Sequence, residues 1–251
     1  MSLFRAVAVL LSFLGFLMMG LFSDMYGVRF DRFVPRDVLA LIVINNPPSN
    51  LEFLNQTRLT NWFDVTPEGI RKRVPERLRE QISLLFQRDL ASAWLLIHGA
   101  TRRPTGSWRL HFSVFLIPRP RHREAVELRI ELAVQDVFGV NEMKIFRNTN
   151  FQIYRGNQEG EILYKLQDRD FILISNSTEG WQKTLRATLG KDANLGENTS
   201  FQWIKTRLRL DSGLFVYFRG DQLFPFLPEF GYSIYFNEDQ IRDEYYEVED
   251  H

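Results

Sequence analysis

VLALIVI, Val38–Ile44, is a continuous apolar run rich in β-branched side chains, and the NNPPSN that follows stops it. A short apolar run bounded by turn residues reads as a buried strand, because a half-exposed strand would alternate with polar residues. Two or three helices are expected after it. Ser49 and Glu52 form a capping box opening a helix toward Trp62. Pro67 and Pro75 stand where a first helical residue tolerates proline, and Leu78, Ile82, Leu85 and Phe86 follow with helical spacing.

Further along, ASAWLLIHG and SWRLHFSVFLI read as paired strands joined through Pro104-Thr105-Gly106. VELRIELAV alternates like a strand, yet Val126, Ile130, Ala133 and Val137 form a helical stripe and Gly139 suits a helix end, so a helix is expected. MKIF, FQIYRG, EILYKL and DFILIS form a meander of short strands. STEGWQKTLRATLG reads as a capped helix ending at Gly190, NTSFQWIKTRLRL as another, and GLFVYF and YSIYF as closing strands. Residues 237–251 hold seven acidic side chains and read as a solvated tail. Hairpins interspersed with helices, without strict βαβ repetition, indicate an α+β fold: a mixed, largely antiparallel sheet with helices packed on it.

At the N-terminus, Ala6–Phe22 is uncharged over 17 residues, and a spanning helix needs roughly 17 to 25. The exit, MMGLFSDMYG, offers poor small-x-small cleavage pairs, so the segment reads as a retained anchor after a short tail at 1–5. The expected organisation is a transmembrane helix at 6–22, an α+β extramembrane domain at 23–236 and the acidic tail at 237–251. Arg29, Arg32 and Arg36 after the span lean toward a cytoplasmic domain under the positive-inside rule. The resemblance of the N-terminus to an export signal favours an extracytoplasmic one, at a bacterial inner membrane. The absence of cysteine excludes disulfides, thiolate metal sites and cysteine nucleophiles.

FVPRDVLALIVI (Phe33–Ile44), ASAWLLIHG and FILISNSTEGWQKTL, in their order along the chain, resemble an uncharacterised bacterial family of membrane-anchored domain-of-unknown-function proteins. The resemblance implies an anchored α+β domain and brings no catalytic residues.

No phosphate-binding loop, dinucleotide turn, zincin pair or nucleophile elbow is present. His122, Glu124 and Glu127 are too few to make a metal site and suit a charged first helical turn instead. Asp168 and Asp170 in QDRD read as turn aspartates. His98 and His111 read as surface or satisfied sheet residues. Between Arg71 and Arg123, twelve Lys or Arg stand against three acids. TRRPTGSWR and IPRPRHR place arginines at the two ends of neighbouring strands, making Arg102, Arg103, Arg119, Arg121 and Arg123 the candidate anion- or partner-binding residues. The balanced total charge and the anchor argue against nucleic acid.

The leading expectation is a non-catalytic single-pass membrane protein, an accessory subunit docking on a larger membrane complex, with the lipid bilayer and other membrane subunits as partners and no cofactor or metal. The alternatives are a free-standing envelope binding module for anionic lipid or polymer, and a membrane-anchored hydrolase using Asp168, Asp170 and His122.

Overall fold

The computed structural model describes residues 30–45, 84–102, 108–138, 142–145, 150–156, 162–208, 212–222, 228–236 and 241–248. Val38–Ile44 yields strand β1 (Ala40–Asn45), buried along almost its whole length. It lies between β2 (Leu90–Arg102) and β8 (Leu214–Arg219), with Ile42 opposite both Leu95 and Val216. Pairing on both edges and cover on both faces account for its unbroken apolar sequence.

The ten strands among the described residues form one sheet in the order β10-β9-β8-β1-β2-β3-β7-β6-β5-β4. The others are β3 (Trp108–Pro118), β4 (Glu142–Ile145), β5 (Phe151–Arg155), β6 (Ile162–Gln167), β7 (Ile172–Ser175), β9 (Glu229–Phe236) and β10 (Ile241–Glu247). Every described pairing is antiparallel. The α+β reading therefore holds, and the expected meander is β4 to β7.

Helix α1 (Arg123–Phe138) settles the ambiguous segment and buries Val126, Ile130 and Val134. It covers one face of the sheet, where Lys165 of β6 reaches its Glu131. The other face carries α2 (Thr178–Thr188), α3 (Thr199–Lys205) and residues 30–39 over a core that includes Val34, Leu41, Trp94, Phe115, Trp181, Phe201 and Phe215. As expected, α2 starts at a capping serine, Ser177, whose hydroxyl accepts the Gly180 N–H, and ends at Gly190 with φ +66°. The expected helix at NTSFQWIKTRLRL is shorter: it is capped by Asn198 and ends at Lys205. Glycine at 231 lets α3 lie close on β9, since a Cβ there would stand 2.3 Å from Ile204 Cγ2.

One boundary changes. The tail expected at 237–251 contains β10, paired with β9 from Ile241–Phe236 to Glu247–Phe230, and Val248 packs against the core. The domain runs through Val248. The acids tolerate an edge strand because charged side chains there remain near water and discourage edge-to-edge association.

The expected anchor at Ala6–Phe22 and the helices between Ser49 and Ile82 lie outside the described residues. Among the described residues no helix is long and apolar enough to cross a membrane. The last expected helical positions, Leu85 and Phe86, fall in a π-helical turn, Leu85–Asp89, that runs directly into β2.

Candidate functional site: two polar clusters on one hairpin

β2 and β3 pair from Leu90–Pro118 at the open end to Arg102–Trp108 at the turn end. β2 has 13 residues, so the two ends stand roughly 40 Å apart. Arg119, Arg121 and Arg123 lie at the open end and Arg102 at the turn end; Arg103 is outside the described residues. The four described candidate arginines therefore stand at the two ends of the hairpin, as the sequence places them.

The open end is organised around Asp89, which closes the π-helical turn and is buried. Its carboxylate accepts from Arg129 Nε at 2.6 Å and from His122 Nδ1 at 3.0 Å, both brought by α1 or the turn before it. Its backbone carbonyl accepts the Arg119 N–H, while Arg119 Nε donates to Leu90 O at 3.0 Å. A buried carboxylate survives only with such partners. Arg123 donates to Glu127 at 2.9 Å and to the Arg169 carbonyl at 3.1 Å, tying the start of α1 to the β6–β7 turn. Arg121 adopts φ +68°, the left-handed conformation uncommon for residues other than glycine. Arg88, Arg121 and Arg169 are exposed, as are Glu124, Asp168 and Asp170.

This end also receives the chain. The ring of Phe33 lies 6.4 Å from Trp94, 6.4 Å from Phe115 and 6.1 Å from Phe171, and Phe171 follows directly on the Asp168–Asp170 turn. Exposed Arg32 precedes it.

Toward the turn end, beneath α2, lies a cluster without a net charge of its own. His98 Nε2 is 2.9 Å from Ser113 Oγ and 3.4 Å from Thr184 Oγ1, and Ser113 Oγ donates to Ser175 Oγ at 3.0 Å. Burial pushes the His98 pKa down to about 4, against partial compensation by Asp37. The ring is wedged against α2: a Cβ on Gly180 would stand 2.5 Å from His98 Cδ2. His111 meets Thr101 at 2.9 Å. The Nδ1 atoms of both histidines are buried and have no hydrogen-bond partner, so the expectation of satisfied sheet histidines holds for only one nitrogen of each ring.

A serine–histidine contact can be a nucleophile and its base, but the base then needs an orienting group and the hydroxyl needs access. Ser113 and Ser175 are fully buried, Thr184 also bonds Ser113, and no acceptor holds His98 Nδ1. This arrangement fixes α2 to the sheet. His122 and the Asp168–Asp170 turn are neighbours through Arg123, but His122 is held by Asp89 and the two aspartates are exposed. Among the described residues no three His, Asp or Glu side chains converge as a metal ion requires.

The face of α1 adds two features that the sequence reading did not single out. Lys165, fully buried, has Glu131 as its ion partner at a long 3.4 Å, and burial lowers its pKa. On the same side burial and the nearby Glu131 and Glu127 push the Tyr154 pKa up to about 12. Outward, Leu128 and Leu132 are 59% and 40% exposed, one helical turn apart. The alternation in VELRIELAV holds the signal for both: apolar residues fall at strand-like and helix-like positions together, so a helix made from it is apolar on two sides.

Comparison with protein-family models, curated proteins and solved structures finds no match to this chain.

Proposed function

We propose that this is a non-catalytic single-pass membrane protein of the bacterial inner membrane, an accessory subunit whose extracytoplasmic α+β domain docks on a larger membrane protein complex through α1. The reading follows the resemblance drawn from Phe33–Ile44 and the anchor expected at Ala6–Phe22. The observation that carries it is the ridge of Leu128 and Leu132, apolar and outward on a helix whose opposite side already fills the core. Exposed apolar side chains standing together, beside a rim of charge, mark contact surfaces more often than isolated ones do.

The test is gentle detergent extraction from the native host, native electrophoresis and mass spectrometry of the co-migrating species. A stoichiometric membrane partner, lost when Leu128→Glu and Leu132→Glu are introduced together, supports the reading. A lone species of about 30 kDa sinks it.

A second reading, an envelope module binding anionic lipid or polymer, is favoured by the gathering of Arg88, Arg121 and Arg169 at one end. It predicts binding that weakens steeply with salt and with Arg121→Ala and Arg169→Ala, while Arg102→Ala at the turn end leaves it unchanged.

A further inference from the structure

We infer that the open end of the β2–β3 hairpin is the membrane-apposed end of the domain, where Arg88, Arg121 and Arg169 take the phosphates of anionic lipid headgroups. The inference rests on the anchor reading of Ala6–Phe22 and adds the domain's orientation and the lipid chemistry it meets.

Tether length is the first argument. Seven residues, 23–29, separate the expected span from the first described residue, and fully extended they reach about 25 Å. The chain then settles at once near the open end, with Phe33 against Phe171 and Trp94. From Trp94 to Arg102 eight further strand residues intervene, roughly 27 Å. The open end at Leu90 is four strand residues from Trp94, roughly 13 Å, about half the distance to the turn end, so the open end meets the bilayer on the shorter tether.

The second argument is chemical. Arg88, Arg121 and Arg169 are exposed and come from three separate segments, the π-helical turn, the β3–α1 turn and the β6–β7 turn. A guanidinium binds phosphate through two parallel N–H donors, so a few well-placed arginines suffice. Arg121 holds its left-handed backbone in the turn closed by the His122 N–H bond to Arg119 O. Such strain is stored where it positions a group for use. Glu124, Asp168 and Asp170 at the same end keep the long-range field weak, which suits headgroup contact at short range over capture of a distant polyanion.

The chain has no cysteine, so single labels can be placed cleanly. Full-length protein carrying Asp170→Cys at the open end, or Gln222→Cys beyond β8 at the opposite end, is reconstituted into nanodiscs of phosphatidylcholine with phosphatidylglycerol. Energy transfer is measured to headgroup-labelled phosphatidylglycerol and, separately, to headgroup-labelled phosphatidylcholine. The expected result is strong transfer from position 170 and little from 222. Transfer from 170 should favour phosphatidylglycerol, with that preference lost when Arg88, Arg121 and Arg169 are changed to Gln. Equal transfer from the two labels, or no lipid preference at 170, in protein that remains in the disc overturns the inference and leaves the anchor intact. Protein that fails to stay in the disc overturns both.

Discussion

The two polar clusters on the β2–β3 hairpin solve the same problem in opposite ways. Near Leu90 an acidic side chain is housed inside the fold by basic partners: Asp89 is held by Arg129 and His122, with Arg119 bonded to the adjoining backbone. Near Ile97 a titratable group is kept neutral: His98 shares one nitrogen among hydroxyls, and burial holds its pKa near 4. The first solution depends on cations delivered by another helix, the second on close packing of α2. The difference predicts what breaks each end.

The largest loss is expected from Asp89→Ala, which removes the shared acceptor of Arg129 and His122. Removing one partner of a buried pair costs about 3–5 kcal/mol, readable as a fall in the urea midpoint of the full-length protein in detergent. A smaller loss for Asp89→Leu would show that the cations reach water and that the pair is not truly buried.

The pH dependence of the other end comes next. Folded His98 titrates near 4, against 6.5 for the ordinary side chain. Between those values the unfolded chain binds a proton that the folded chain refuses. The contribution of His98 is therefore full above pH 6.5, declines as pH falls and levels off below 4. The total loss is on the order of 3 kcal/mol. His98→Asn should flatten that part of the stability profile; an unchanged slope between pH 6.5 and 4 would assign the effect elsewhere.

Gly180→Ala tests the packing directly. The added methyl meets the body of the imidazole, which is not a flexible chain end, so a destabilisation of about 1–3 kcal/mol is expected. His98→Ala in the same chain should restore part of it, and failure of that rescue would remove the ring as the obstacle.

The smallest effect belongs to Arg121→Gly. Relief of the left-handed strain, worth roughly 1 kcal/mol, is offset in part by glycine's greater freedom in the unfolded chain. Thermal stability should hold or rise slightly while the preference for anionic lipid falls. A clear loss of stability would mean that the Arg121 side chain is structural.

The legible parts of the sequence were those decided locally. Val38–Ile44 announces a buried strand, and Ser177 and Gly190 mark the limits of α2 because each answers a backbone requirement of a helix end. Residues 237–251 misled because their acids suggest solvation, whereas Ile241–Glu247 becomes a strand through pairing with β9. The arginine excess located no single site for a related reason. Counting charge along a window joins Arg102 to Arg119, which the hairpin separates, and omits the acids brought from α1 and the β6–β7 turn. Lys165 escaped notice because its inward position depends on β6 lying beneath α1, a contact made across 34 positions of sequence.

β1 sits in the middle of the sheet, yet one of its two neighbours is supplied near the end of the chain: Asn45 at its close bonds the Ser212 backbone, 167 residues away. During synthesis β1 and β2 can pair early, but the other edge of β1 stays open until β8 has been made. An open apolar edge is a template for pairing with another copy, and closure over such a separation is slow. Until β8 arrives, the strand whose sequence decides the fold is also the one most open to a wrong partner.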